Sequence, residues 1–355
     1  MKRKLKIAQL VPPWIEVPPK KYGGTELIAS YLTEGLTERG HSVTLFASGD
    51  SKTRAKLSFC FPKALYGIKS SWSDDMSSIF HCSRCFKEAS KFDIIHNHFN
   101  YYGIAFANTV NTPVVTTYHG DFTEIIKDKG AKYQMLKEFK DSPFVSISNF
   151  QRPKGINLNF VKTIYNGIDV DSFDFSNTPK DYIAWIGRIT PKKGILDAIE
   201  IAKRLNVKLK IAAKIDKNHL PDVEFYENKV KPLIDGNQIS YIGEIGGYRA
   251  KSMFLKNAIA LINPIQWHEP FGLNMIEAMA CGTPVIAYRM GSVPEVIKDG
   301  KTGFIVKDVK GAVSAFGRVN KINRADCRDL VENKFSKNIM IDNYEEVYYK
   351  LINKK

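Results

Sequence analysis

Residues Tyr182 to Ala213 read YIAWIGRITPKKGILDAIEIAKRLNVKLKIAA. Tyr182 to Gly187 is a short apolar run closed by glycine, which predicts a buried parallel strand. Gly194 to Leu205 reads as a helix and Val207 to Ala213 as the next strand. Between strand and helix lies a loop carrying Arg188, Lys192 and Lys193. The same order stands at the start of the chain. Leu5 to Val11 is a strand, and a loop runs through Tyr22-Gly23-Gly24. Glu26 to Arg39 has apolar residues at 27, 28, 31, 32 and 36 and stops at Gly40, and Ser42 to Ala47 is a second strand. Each is the repeating element of a doubly wound α/β sheet.

Further strands are expected at Asp93–His96, Val114–Tyr118 and Phe144–Ile147 in the first half. In the second half they are expected at Ile239–Ile242, Ile259–Asn263, Pro284–Tyr288 and Gly303–Val306. Residues 50–75 show no clear period. Turn chemistry at Tyr165 to Asp169 and an aperiodic polar stretch from Asp171 to Lys180 mark a boundary near 165–180. The 355 residues therefore divide into two doubly wound domains, 1–168 and 169–337. A last amphipathic helix, 338–355, is free to pack on either, with the N-terminal domain favoured. Two such domains predict a cleft where the carboxyl ends of both sheets meet.

Charge narrows the partner. Lys and Arg number 52 against 37 Asp and Glu, a net +15. Residues 1–170 hold +8 and the remainder +7, so the excess forms no tail. The densest runs are short, at Lys2 to Lys6 and Lys354-Lys355. A nucleic-acid module concentrates its charge among aromatic residues, and no such stripe is present. Phosphorylated small molecules fit better. Five scattered cysteines argue for a reducing compartment. The apolar N-terminal stretch is too short and polar for a signal sequence, and no run approaches a membrane span. A cytoplasmic protein is expected, with a peripheral membrane role left open.

Two stretches carry chemistry. The loop Gly187 to Gly194 sits at the carboxyl end of a strand, where fixed cations and a helix N-terminus suit a diphosphate. No Walker or clean Gly-x-Gly-x-x-Gly pattern occurs, which counts against nucleotide triphosphatases and nicotinamide enzymes. The second stretch is Trp267-His268-Glu269-Pro270-Phe271-Gly272-Leu273-Asn274-Met275-Ile276-Glu277. Gly272 permits close backbone approach to an anion at the start of the following helix. Two carboxylates flanking that helix start can grip sugar and ribose hydroxyls.

Taken with Tyr22-Gly23-Gly24, His119-Gly120, Asn166-Gly167-Ile168-Asp169, Gly282-x-Pro284, Gly291-Ser-Val-Pro-Glu295 and Asp299-Gly-x-x-Gly303, these motifs resemble the retaining glycosyltransferases of the GT-B fold, family 4. The resemblance covers nearly the whole chain, and its two glutamates separated by seven residues are intact. It implies two Rossmann-like domains facing a central cleft, the first binding the acceptor and the second the nucleotide sugar. Arg188 and Lys193 would bind the donor diphosphate and stabilise it on leaving. Glu269 would contact the transferred sugar and Glu277 the ribose. Phe271, Gly272 and Leu273 would supply backbone amides, and His119 would face the sugar from the first domain. Gly24 would approach phosphate or acceptor, and the segment Ile242 to Ile245, with Gly243 and Glu244, would meet the base. Gly23 is a candidate acceptor contact, and Trp14, Tyr22, Tyr101 and Tyr102 would either stack on the acceptor or serve as ordinary packing residues. The implied donor is UDP-glucose-like or GDP-mannose-like, with a UDP-sugar favoured. The acceptor would be a glycan, a lipid-linked glycan or a small molecule. Neither metal nor cofactor is implied, and the reaction would proceed on one face of the sugar. A GT-B isomerase or phosphorylase and an inactive nucleotide-sugar-binding subunit are the alternatives.

Other clusters read as structural. Asp169-Val-Asp171 resembles a manganese motif but follows Asn-Gly in a turn. His81, Cys82 and Cys85 form half of a zinc pattern without a second half. His96 and His98 are expected to face opposite sides of their strand. His41 should simply precede a strand, and His268 is placed beside Glu269 at the cleft.

Overall fold

A computed structural model describes residues 3–66 and 74–353. Lys2, Lys354 and Lys355 of the basic end runs lie outside the described residues, as do positions 67–73 of the aperiodic segment. The chain forms two units, one of Met1–Gly167 with Lys337–Lys355, the other of Ile168–Ser336.

The first unit is built on strands β1 (Lys6–Leu10), β2 (Ser42–Phe46), β3 (Lys56–Ser58), β4 (Ile94–Asn97), β5 (Val114–Thr117), β6 (Phe144–Ser146) and β7 (Phe160–Thr163). They lie in the order β3-β2-β1-β4-β5-β6-β7. Every pairing is parallel. The connecting helices are α1 (Gly24–Glu38), α2 (Asp75–Lys87), α3 (Asn100–Ile104), α4 (Thr123–Asp128) and α5 (Ala131–Glu138). Strand β1 lies between β2 and β4, so both its edges are paired, and the burial of the successive residues Ile7, Ala8, Gln9 and Leu10 shows that both its faces are covered as well. Helix α1 buries Leu27, Ile28, Tyr31, Leu32 and Leu36, the face its spacing defines. Each such side chain contributes about 1.5–3 kcal/mol on full burial. Trp14, Phe46, Cys82, Cys85 and Phe86 share one apolar cluster under β1. The two cysteines are therefore packing residues, and burial raises their thiol pKa.

The second unit holds strands β8 (Tyr182–Arg188), β9 (Lys208–Lys214), β10 (Ile239–Gly243), β11 (Leu261–Asn263), β12 (Val285–Tyr288) and β13 (Gly303–Val306). Their order is β10-β9-β8-β11-β12-β13, again parallel throughout. Helices α6 (Ile195–Leu205), α7 (Leu220–Phe225), α8 (Gly247–Lys256), α9 (Leu273–Ala280), α10 (Val293–Val296), α11 (Val309–Phe316) and α12 (Arg324–Lys334) complete it. The strand order turns at β8, which places the loops leaving β8 and β11 side by side. In a doubly wound sheet that is where ligands bind.

Helix α13 (Lys337–Ile352) belongs to the first unit. It lies along α1, where Arg39 pairs with Asp342 at 2.7 Å and also with Glu345. His41 accepts the Leu5 amide proton at Nδ1 (3.1 Å) and donates from Nε2 to Glu345 Oε1 (2.7 Å). His41 thus does more than precede β2, since it ties a strand end to α13. Tyr344 and Tyr348 of α13 are wholly buried beneath the sheet.

Candidate functional site

In the second unit the carboxyl ends of β8, β9 and β11 gather the charged residues. Arg188 is the last residue of β8. After it the chain makes one tight turn, Pro191–Lys193, and enters α6 through Gly194. Gly194 has φ +71°, and a Cβ there would stand 1.9 Å from the Pro264 carbonyl oxygen. Only glycine lets the two loops approach so closely. The Gln266 amide then donates to the Lys192 carbonyl at 2.9 Å, locking the loops together.

That lock brings the two sequence motifs into contact. Lys193 Nζ donates to Glu269 Oε2 at 2.5 Å, and Trp267 Nε1 donates to the same oxygen at 3.2 Å. The ammonium also lies 5.1 Å from the Trp267 ring centre. Gly291 (φ +58°) closes on the Glu269 backbone, where a Cβ would meet the carbonyl oxygen at 2.3 Å. Ser292 holds the loop from behind. Its amide donates to the Glu269 carbonyl at 3.0 Å and its hydroxyl to the Phe271 carbonyl at 2.7 Å. The carbonyls of this turn thus face the protein, while α9 begins through Gly272 at φ +86°. First-turn amides of a helix have no partner within it and favour an anion. Glu277, one turn on, is buried and accepts from Lys251 Nζ of α8 at 2.7 Å.

Arg188 stands 3.5 Å from Asp222 Oδ2, a buried carboxylate oxygen with no hydrogen-bond partner, while His219 Nδ1 lies 3.1 Å from Oδ1. Lys214, at the end of β9, is half-buried. Desolvation lowers its pKa, Asp216 and Glu244 offset that, and Arg188 adds to it. Gly243 closes β10, the edge strand, and Glu244 follows it. Three ion pairs, Lys193–Glu269, Lys251–Glu277 and Arg188–Asp222, therefore stand within one unit. In each pair one partner is more exposed and the other more buried. Lys251, Asp222, His219 and Lys214 have no motif of their own. They join the site only through tertiary contact, though Lys214 stands at a strand end and was open to notice.

The first unit carries its own cluster at the carboxyl ends of β1, β4 and β5. Gly23 (φ +145°) is buried and Gly24 opens α1. Two residues on, Glu26 is buried, and a Cβ on Gly23 would lie 3.0 Å from its Oε2. Desolvation, against a bond from its own backbone amide, pushes the Glu26 pKa up to about 7. His119 follows β5 and is half-buried. Its Nε2 lies 2.9 Å from His98 Nδ1. Burial brings its pKa down to about 4.

The expectation for His96 and His98 fails. Positions i and i+2 of an extended chain share a face, and the two rings sit 3.9 Å apart, centre to centre. Among the other candidates, Tyr22 is exposed and Trp14 is core. Tyr102 donates to Asp75, and Tyr101 lies beneath the Lys132 ammonium. His268 is half-buried beside Glu269. Asp169 accepts from the Ser172 hydroxyl at 3.0 Å, the behaviour of a turn former. Among the described residues no group of three or more His, Cys, Asp or Glu side chains is placed to hold a metal ion. No helix among them is long and apolar enough to cross a membrane.

Comparison with known proteins agrees with this picture. The model of Glycosyltransferase Family 4 matches residues 22–172, and that of Glycosyl transferases group 1 matches residues 170–333. The N-acetyl-alpha-D-glucosaminyl L-malate synthase of Bacillus anthracis is 24% identical, over 93% of this chain and 94% of that protein. Among solved structures, the sucrose-phosphate synthase of Thermosynechococcus elongatus superposes with a TM-score of 0.80 at 18% identity, covering 99% of this chain and all of that one. An Anabaena protein in complex with UDP-glucose gives 0.76 at 16% identity, covering 98% and 100%. The first family match ends where the second begins, at the passage from one parallel sheet to the next, and the chain belongs to the group 1 glycosyltransferases of family 4, enzymes of GT-B fold that transfer sugars.

Proposed function

We propose that the protein moves a hexosyl group from a UDP-sugar to an acceptor hydroxyl, with retention at the anomeric carbon and without a metal ion. The observation that carries this reading is the Lys193–Glu269 ion pair, clamped at the mouth of β8 beside the N-terminus of α9. A diphosphate arriving there draws Lys193 off Glu269. The freed carboxylate then accepts hydrogen bonds from sugar hydroxyls, so binding assembles the site by exchanging partners. Cleavage of the glycosidic bond puts negative charge on the departing diphosphate. Arg188, Lys193 and the α9 amides meet that charge where it develops, the most effective form of electrostatic catalysis. The acceptor hydroxyl attacks on the face the diphosphate leaves, and a diphosphate oxygen takes its proton. No second carboxylate is then needed as a nucleophile, unlike in retaining hydrolases. The α-configured product in the name of the Bacillus relative and the UDP-glucose in the Anabaena complex support this choice of stereochemistry and donor.

The test is release of nucleoside diphosphate by purified protein from a panel of UDP- and GDP-sugars, with and without EDTA. Slow release from a UDP-sugar that survives chelation is expected. Strict dependence on added manganese would overturn the metal-free mechanism.

Glu277 accepts the ribose hydroxyls in this reading, with Lys251 holding its carboxylate in place. Glu277→Ala should weaken UDP affinity about tenfold or more, the worth of a charge-assisted hydrogen bond. Titration calorimetry with UDP measures it. Unchanged affinity removes Glu277 from the ribose.

A further inference from the structure

A continuous file of buried side chains runs from α13 to His119. Gln9 Nε2 lies 3.1 Å from Tyr348 Oη, and Tyr348 Oη lies 2.6 Å from His96 Nδ1. On the other side of Gln9, its Oε1 lies 2.9 Å from His98 Nε2, and His98 Nδ1 lies 2.9 Å from His119 Nε2. His96 Nε2 reaches Thr117 Oγ1 at 2.8 Å, which meets Tyr344 Oη at 3.0 Å. Gln9, His96, His98, Thr117, Tyr344 and Tyr348 are wholly inaccessible to solvent. Water cannot substitute for any link, so each proton must serve one bond.

The distances give the file a direction. Hydroxyl donors make the shorter bonds and amide donors the longer ones. The phenol of Tyr348 therefore donates across 2.6 Å to His96 Nδ1 and accepts across 3.1 Å from the Gln9 amide. That leaves the Gln9 carbonyl oxygen toward His98, and a carbonyl only accepts. His98 must carry its proton on Nε2. Burial holds His98 neutral, so its Nδ1 offers a lone pair. His119 must then donate from Nε2. Burial likewise keeps His119 neutral. Its remaining nitrogen, Nδ1, has no proton, and among the described residues it makes no hydrogen bond.

We propose that Gln9 and His98 are positioning residues that fix His119 as its Nε2–H tautomer, so that His119 meets the ligand as a hydrogen-bond acceptor only. The inference rests on the reading of His119 as a contact of the transferred sugar. Its consequence is a rule for the donor: the group facing His119 must be a hydroxyl that gives a proton. Fluorine, an ether oxygen or a carboxylate at that place presents a lone pair to a lone pair and is rejected. The selecting information is set by the amide of Gln9 and, through it, by a phenol on the last helix.

Nitrogen-15 spectra of the protein with labelled histidine read this directly, because protonated and bare ring nitrogens resonate far apart. His96, His98 and His119 should all appear as Nε2–H tautomers in the free protein. A Nδ1–H form at His119, or an average of the two, overturns the proposal. Gln9→Leu removes the fixed carbonyl and should turn His119 into a mixture, while His219 and His268 of the other unit keep their signals. A pure Nε2–H signal in Gln9→Leu also overturns it. Should that variant not fold, Tyr348→Phe, which removes the phenol that orients the Gln9 amide, should give the same mixture at His119, and a pure Nε2–H signal there overturns the proposal. As the ligand-side reading, monofluorinated analogues of the UDP-sugar found active are compared as competitive inhibitors. One ring position should bind about tenfold weaker than the parent, the loss of one hydrogen bond. Equal binding at every position overturns the donor rule. If instead no UDP-sugar is consumed at all, the donor reading fails while the tautomer spectrum still stands or falls by itself.

Discussion

Lys193→Ala should lower turnover on donor by about 10²–10³-fold, the cost of removing one donor from a developing oxyanion. Two losses combine in that number. In the proposed reaction the ammonium no longer meets the leaving diphosphate, and Glu269 loses its 2.5 Å partner and keeps, among the side chains of the described residues, the Trp267 indole. Arg188→Ala should act in the same range, since the guanidinium ends β8, at the place proposed for the diphosphate. Its loss also leaves the buried Asp222 carboxylate with His219 alone. The neighbouring Lys192 is exposed and has no ion pair among those described, so Lys192→Ala should change turnover less than about twofold, as expected of a surface side chain. Initial rates at saturating donor separate the three. Near-normal rates for both Lys193→Ala and Arg188→Ala would remove electrostatic stabilisation from the mechanism.

The second large effect belongs to a residue without a functional side chain. Gly194→Ala should destabilise the second unit by about 3 kcal/mol, combining left-handed strain with overpacking against backbone. The obstacle is the Pro264 carbonyl oxygen, 1.9 Å from the new methyl group, and backbone cannot rotate aside as a side chain would. For a body of this size, such a loss lowers the melting midpoint by about 6–12 °C. Gly243→Ala is the control. Its φ of +80° carries the same strain, yet nothing lies within 4 Å of the new Cβ. It should cost about 1–2 kcal/mol. Scanning calorimetry compares them, and equal melting points would show that the loop contact at Gly194 contributes nothing.

The central strands were legible because both of their faces are covered, which writes them as apolar runs such as Tyr182 to Trp185 and Ile7 to Leu10, the second broken at Gln9. The edge strand β7 was not. Phe160-Val-Lys-Thr163 is half-exposed along its length and offers neither a run nor a clean alternation. β3, with three residues, gave no signal either. In the candidate site, Arg188, Lys193, Glu269 and Glu277 were picked out by their place around a strand end and a helix start. Their counter-ions did not, because an ordinary lysine in the middle of α8 looks like solvated surface until Glu277 is seen 2.7 Å away. The histidine file is the extreme case. Gln9 meets Tyr348 across 339 positions of sequence. No local pattern encodes such a bond, and the hydrogen-bonding needs of each residue taken alone are met equally well elsewhere.

The chain enters and leaves the second unit at neighbouring points. Ile168 and Ser336 form a parallel bridge, and the Ile168 amide donates to the Phe335 carbonyl at 2.9 Å. Seen from the ribosome, the second unit is therefore an inset, finished and closed before α13 has been made. Until those last residues emerge, the seven-stranded sheet waits with Gln9, His96 and Thr117 still wet and His41 without Glu345. Completion of the first unit is thus timed by synthesis of the last helix. The half of the enzyme translated first is the half that matures last.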